Sequence, residues 1–338
     1  MSSSPYLTFL LPCYNEGAVL AETYRRVKAV ADALGKAYEI VLVNDGSSDD
    51  TLAQMLQFAQ RDPTLIVVNL SRNHGHQLAL SAGLHYCAGE RVLVLDADLQ
   101  DPPELLPQML ALMDQGADVV YAQRRSRPGD PWLKRLACAV FYRMLNRLSE
   151  TPIPLDTGDF RLISRRVLEL LLQMPERHRF IRGMVSWVGF RQVAFPYDRD
   201  KRFAGTTKYP FGRLLRLALD GVVASSTRPL ALASYAGMLF ASTGFVLIVY
   251  ALYSWWKIGR TPQGWTSLMI VITVMGSVQL FVLGILGQYL GRIHEQTRGR
   301  PLFMVDRVYR SAEPETQPNA AVAANAPAPG PPAKVAGD

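Results

Sequence analysis

The sequence predicts an α/β chain in two parts: a mostly parallel sheet with helices on both faces, then a two-helix apolar hairpin towards the C-terminus. Three observations carry this. Short, continuous apolar runs alternate with helix-length patterns through residues 6–124; polar residues cluster where those runs stop; and residues 230–255 and 265–290 contain no charge. Apolar strands that do not alternate with polar residues are buried on both faces, the mark of a parallel sheet between helices.

In order, "YLTFLLP" is followed by the helical "AVLAETYRRVKAVADAL", "YEIVLVND" by "TLAQMLQFAQRD", "LIVVNLS" by "HQLALSAGLHYC", and "RVLVLDAD" by "PELLPQMLALMDQ", before "DVVYAQR". Ligands in such sheets bind beyond the carboxyl ends of the strands. The polar punctuation falls there: Asn15–Glu16, Asn44–Asp45–Gly46–Ser47, Ser71–Arg72–Asn73 and Asp96–Ala97–Asp98. Four such ends make one site. Asp96 and Asp98, two apart on an extended chain, point the same way and repel unless a cation separates them. Hard oxygen ligands favour Mg²⁺ or Mn²⁺, with Asp98, furthest out, as the direct ligand and Asp96 beside it. Asp101 before Pro102 has the form of a helix N-cap. Asp49 or Asp50 would cap the helix after Gly46. His74 and His76 mimic a metal pair but have no third ligand nearby, so a structural role, or one supporting the residues that bind the ligand, is expected.

Charge divides the chain. Residues 1–123 hold 15 acidic against 7 basic side chains, a net −8, and the remainder carries +15. The second part is expected to meet something anionic. Cys13, Cys87 and Cys138 are odd in number and lack metal spacing, so they read as reduced and structural. The start has no basic segment before an apolar one and does not read as a signal peptide.

Each uncharged 26-residue stretch can cross roughly 30 Å of hydrocarbon. Arg213, Arg216 and Arg228 precede the first, and Arg292, Arg298 and Arg300 follow the second, so the charge bias places both flanks and both termini in the cytoplasm. Trp255, Trp256 and Trp265 suit the far interface. The expected division is a domain at 1–228, a membrane hairpin at 229–292 (spans 230–255 and 265–290), a cytoplasmic juxtamembrane segment at 293–310 and a disordered Ala/Pro-rich tail at 311–338. The basic amphipathic stretches 133–149 and 211–223 read as interfacial helices on an inner, cytoplasmic membrane. Gly237, Ala241 and Gly244, with Gly284, Gly287 and Gly291, allow close helix approach, either within the hairpin or between copies in a dimer or tetramer. No nucleic-acid partner is expected.

Six motifs, "LPCYNE", "VNDGSSDDT", "LSRNHGHQLALSAGL", "DADLQDPPEL", "GDFRL" and "GTTKYP", stand in the order found in glycosyltransferase family 2. More narrowly, the chain resembles the polyprenyl-phosphate glycosyltransferases, bactoprenol glucosyltransferase-like and dolichol-phosphate mannose synthase-like, over roughly residues 5–300. The resemblance implies a GT-A fold, a nucleotide-sugar donor, a divalent metal and inverting transfer to a polyprenyl phosphate on the cytoplasmic leaflet. It places Pro12, Tyr14 and Glu16 around base and ribose, Asp45 at the base edge, Ser47 in a loop of close backbone approach, and Arg72 near a donor phosphate. Asp96 would hold a ribose hydroxyl or the metal's water shell. Asp159 is the implied catalytic residue, with Asp156 as runner-up and Arg161 orienting Asp159 or an anion. Arg124, Arg202 and Lys208 fall near the donor diphosphate and acceptor phosphate. A phosphate monoester has its second pKa near ~6, so the lipid nucleophile is mostly ionised already and Asp159 is expected to position rather than deprotonate.

The expected reaction moves glucose from UDP-glucose to undecaprenyl phosphate. Galactose, N-acetylhexosamine, aminoarabinose or GDP-mannose are the alternatives within the same chemistry, and a non-catalytic nucleotide-sugar-binding membrane protein is the alternative of another class. A processive polysaccharide synthase would add an Arg-Trp acceptor motif, which this chain lacks, and more spans.

Overall fold

The structure, a computed structural model, describes residues 4–125, 157–177, 179–198, 228–258, 264–310 and 313–315. Asp156, Arg202, Lys208, Cys138, the stretches 133–149 and 211–223, and all of the 311–338 tail except 313–315 lie outside the described residues. The chain divides into two compact units, the second containing the described residues 228–258 and 264–298.

In the first unit, the predicted runs become strands in the predicted order. β1 (Leu7–Cys13), β2 (Tyr38–Asn44), β3 (Leu65–Leu70) and β4 (Arg91–Val94) alternate with α1 (Gly17–Ala33), α2 (Thr51–Arg61) and α3 (His76–Leu84). A 3-10 turn (Pro103–Leu105) leads into α4 (Leu106–Asp114). Then come β5 (Val119–Arg124), β6 (Thr157–Ser164), α5 (Arg165–Gln173), α6 (Ile181–Val188) and β7 (Gln192–Tyr197).

The sheet order is β7-β5-β6-β4-β1-β2-β3, continued by β8 (Val305–Arg310) and β9 (Glu313–Glu315). Its centre, β4-β1-β2-β3, is parallel throughout, and antiparallel β6 and β8 frame it. Both faces are covered. Phe9, Leu11, Ile40, Leu42 and Leu93 pack with Leu20, Val27, Met55 and Met109 of α1, α2 and α4. Leu10, Val41, Val43, Val68 and Val94, one residue out of phase, pack with Leu80 and Leu84 of α3 and Leu168 and Leu171 of α5. Side chains alternate faces along a strand, so burial of both sets explains why the runs carry no polar alternation.

One boundary changes. The sequence reading ends the domain at residue 228 and leaves 293–310 as a juxtamembrane segment. Residues 305–310 instead pair antiparallel with β3, with Val308 opposite Val68. Leu302, Phe303 and Val308 join the core. An exposed β3 edge would leave a row of backbone groups unpaired, and the returning chain satisfies them. Residues 313–315 of the expected disordered tail pair with β8.

The second unit holds α7 (Arg228–Ile258) and α8 (Trp265–Thr297). Among the described residues, one helical stretch, Ile270–Thr297, is long and apolar enough to cross a membrane, and none of it is buried within the protein. The apolar part of α7, Gly237–Tyr250, is shorter.

Candidate active site

The strand order 3-2-1-4 reverses direction between β1 and β4, so the loops leaving these two strands diverge and open a crevice. Asp96 leaves β4 there, and Tyr14 to Glu16 leave β1.

Three neighbouring loops are stitched together. Asn15, at φ 56°, donates its backbone N–H to Ser47 Oγ (3.0 Å), and its Oδ1 accepts from the Ser48 N–H (2.8 Å). Glu16 N–H donates to Thr51 Oγ1 at 2.9 Å and Gly17 N–H to Asp49 Oδ2 at 3.1 Å. Asp49 Oδ1 also accepts from Thr51 N–H, so Asp49 rather than Asp50 serves the start of α2. Gly46 adopts φ 64°, and a Cβ there would stand 2.5 Å from backbone atoms of Arg72 and Asn73. The close approach inferred for this loop is therefore to the next loop of the chain itself.

Asp45 is turned inward, 2% exposed, and its oxygens accept from the His74 and Gly75 N–H groups at 2.7 and 2.9 Å. The expected base-edge residue thus braces the β3–α3 loop. Tyr14 is exposed, Pro12 is buried within β1, and Glu16 is half-buried. Arg72 is exposed, with Nη1 donating to the Asn73 carbonyl.

The acidic loop is built differently from a cap. Asp98 Oδ1 accepts from Gln100 N–H at 3.1 Å, Leu99 adopts φ 60°, and the Ala97 carbonyl accepts from Thr23 Oγ1 of α1 at 2.8 Å. A left-handed leucine costs energy and persists where surroundings over-determine it. Asp101 does not cap the following turn, whose first position has no side-chain cap. It is buried and accepts from the Tyr197 hydroxyl.

Asp96 Oδ1 is buried and lacks a hydrogen bond among the described residues, with His76 Nε2 at 3.6 Å. Burial pushes its pKa up to about 6, the His76 charge opposes this, and Asp101, Asp159 and Asp98 add to it. Such an acceptor is expensive unless something positive meets it. No group of three or more His, Cys, Asp or Glu side chains among the described residues could hold a metal by itself. Asp96 and Asp98 therefore fit a hard divalent cation that takes its remaining oxygens from water and a phosphate-bearing substrate.

Asp159, 2% exposed, lies at the centre of a cationic cluster. Arg182 Nε donates to Oδ1 (2.8 Å) and Nη2 to Oδ2 (3.1 Å); His76 Nε2 lies 3.0 Å and Gln77 Nε2 3.2 Å from Oδ2. Arg161 Nη2 stands 3.9 Å from Oδ1 and donates to the Gly158 carbonyl. Burial works against the Asp159 charge, but His76 and Arg182 outweigh it and hold the carboxyl well below its usual range. His76 is raised in turn: burial disfavours its charge, and the bond to Asp159 and the field of Asp96 prevail.

Arg124, the last residue of β5, has a buried Nε, and its Nη2 lies 3.0 Å from where a Gly158 Cβ would be. Sequence reasoning missed Gln77, Arg182 and Tyr197. Gln77 lies in the "NHGHQ" segment that opens α3, whereas nothing local marks Arg182. His74 has the structural role expected of it, its Nε2 accepting from Met304 N–H at 3.3 Å. His76 joins the carboxylates. Cys13 and Cys87 are buried and free.

Residues 8–172 match the family described as Glycosyl transferase family 2. A chain of Bacillus subtilis described as an uncharacterized glycosyltransferase, YkcC, is 42% identical over 91% of this chain and 96% of its own. A prophage bactoprenol glucosyl transferase homolog of Escherichia coli is 36% identical over 89% of this chain and 99% of its own. Among solved structures, glucosyl-3-phosphoglycerate synthase from Mycobacterium tuberculosis, in complex with Mn²⁺, uridine-diphosphate-glucose and phosphoglyceric acid, aligns with a TM-score of 0.48 and 20% identity. The match covers 65% of this chain and 79% of that one.

Proposed function

The chain belongs to glycosyl transferase family 2 and is a glycosyltransferase with a GT-A sheet; we propose that it transfers glucose from UDP-glucose, with inversion, to undecaprenyl phosphate at the cytoplasmic leaflet. The acceptor and sugar rest on the similarity to bactoprenol glucosyl transferases, such as that of Shigella phage SfII at 36% identity over 90% of this chain. The observation that carries the chemistry is the unsatisfied Asp96 oxygen where the strand order reverses.

In this reading Asp96 and Asp98 hold Mg²⁺ or Mn²⁺, which when bound would neutralise the donor diphosphate and stabilise the departing nucleotide. Tyr14, Glu16 and the Ser47 loop line the nucleoside. Arg72, Arg124, Arg202 and Lys208 bind phosphate oxygens, a role that guanidinium groups suit because they can meet two oxygens at once. Asp159, fixed as an anion by Arg182, orients His76 and the adjacent charges. The acceptor, mostly ionised at neutral pH, needs no base. Asp156 is the second candidate for the Asp159 role. The α7 and α8 helices would form the two-span hairpin, their uncharged stretches 230–255 and 265–290 each rising roughly 39 Å at about 1.5 Å per residue. Their arginine flanks set the cytoplasmic side, and the glycine faces allow a dimer or tetramer.

Membranes carrying the full chain should convert radiolabelled UDP-glucose and undecaprenyl phosphate into a labelled lipid, in preference to UDP-galactose, UDP-N-acetylhexosamines, a nucleotide-linked aminoarabinose and GDP-mannose. A labelled lipid from another sugar would correct the donor. No lipid product from any donor would overturn the reading.

A further inference from the structure

Four polar side chains form an ordered relay from β8 to the loop read as nucleoside-binding. Asn69 Nδ2 on β3 donates to Asp306 Oδ2 on β8 (3.0 Å), and Asn69 Oδ1 accepts from Asn44 Nδ2 on β2 (2.7 Å). Asn44 Oδ1 accepts from the Ser47 N–H (3.2 Å), and Ser47 Oγ accepts from the Asn15 N–H (3.0 Å). Asn44 and Asn69 are buried. The same returning segment grips the neighbouring loop, since Ser71 N–H donates to the Met304 carbonyl at 2.9 Å and His74 accepts from Met304 N–H.

We propose that Asp306 is a positioning residue for the donor site, setting the Ser47 loop through Asn69 and Asn44. The inference rests on the reading of that loop as part of the nucleotide-donor site. The reason is polarity. An amide has a donor end and an acceptor end, whereas an ionised carboxylate only accepts. Asp306 therefore obliges Asn69 to face it with its NH₂ group. The carbonyl end of Asn69 then faces Asn44, which answers with its own NH₂ group. That leaves the Asn44 oxygen for the Ser47 N–H. The acceptor-only Asp306 at one end and the donor-only Ser47 N–H at the other demand the same orientation of both buried amides. The strand that follows the long apolar helices in the chain is by this device a part of the donor site.

The test is UDP binding by the full chain in detergent with MnCl₂, by calorimetry, alongside thermal unfolding. Asp306→Ala should weaken UDP roughly two- to tenfold, the scale of one hydrogen bond, and Asp306→Asn, which keeps an acceptor oxygen, should recover most of it. Asp306→Lys separates the relay from simple electrostatics. A donor-only lysine cannot accept from Asn69, so affinity should fall at least as far as in Asp306→Ala. A long-range charge effect on anionic UDP would instead tighten binding. Asp306 is exposed, so folding of these variants should match the parent. Equal affinity across the series, or tighter binding by Asp306→Lys, overturns the inference while leaving the donor-site reading in place. A parent chain that does not bind UDP removes the reading and the inference together.

Discussion

Arg182 grips Asp159 with two nitrogens, Nε on Oδ1 at 2.8 Å and Nη2 on Oδ2 at 3.1 Å. The guanidinium fork matches a carboxylate in a way a lysine cannot. Removing it leaves a carboxylate that is 2% exposed facing one fewer charge. Arg182→Ala should cost about 2–3 kcal/mol in a denaturant titration, below the ~3–5 kcal/mol of a fully buried pair, because its side chain is 30% exposed. Arg182→Lys should recover little of the loss. The sign of the Asp159 effect follows from its depressed pKa. Its stabilisation is complete above the unfolded value near ~3.9 and lost only as pH falls through the folded one. Across pH 5–8 the rate should show no limb belonging to Asp159; a limb in that window that disappears in Asp159→Asn would show proton transfer there.

Asp96, raised to about 6 by burial and its acidic neighbours, should exchange its proton for metal. Apparent Mn²⁺ affinity should then climb from pH 5 to pH 7, since a ligand must be deprotonated to bind. Asp96→Asn or Asp98→Ala should lower metal-supported nucleotide release by roughly 10²–10³-fold, the scale of a lost electrostatic stabiliser. Turnover indifferent to excess chelator would contradict the metal reading.

Gly46 combines a left-handed backbone with a Cβ position 2.5 Å from the Arg72–Asn73 peptide. Gly46→Ala should destabilise the fold by about 1–3 kcal/mol, read as a lower unfolding midpoint. It should also weaken UDP binding, because both loops must part. An unchanged midpoint would mean that the loops yield freely.

His85 packs near Phe303, with ring centroids 5.6 Å apart. Burial, reinforced by the Arg179 charge, lowers its pKa to about 4. Between that value and ~6.5 the unfolded chain binds a proton that the folded chain refuses, so stability rises with pH across the window. His85→Phe should flatten that rise between pH 4.5 and 6.5 in thermal unfolding. An identical slope in the variant would exclude His85 as its source.

Much of this was legible along the chain. Runs such as Val92–Leu95 and Ile40–Val43 declare strands buried on both faces, and each ends in residues that no core would tolerate unpaired. The acids Asp96 and Asp98 could be set beyond the end of a buried strand from the pattern alone, but β4 stops at Val94 and residues 97–98 form a turn, so the extended-chain alternation does not carry them. Their relation to Asp159 could not be read from the pattern. His76 reaches both Asp96 and Asp159 because β6 lies antiparallel beside β4, and a strand order is not written in any local pattern. The cap expected of Asp101 failed for a similar reason, since Tyr197, 96 residues away, is its partner.

The sequence by itself determined the alternation of strand and helix, the site at the strand ends, the acidic pair and the apolar character of the C-terminal helices. Those features depend on which side chains water rejects and on the period of the backbone, and both are local. Tertiary structure alone decided that Arg182 would hold Asp159 and that Asp306 would meet Asn69 across 237 residues. Such partners are chosen by which strands lie side by side, and that depends on the whole chain burying its apolar surface at once.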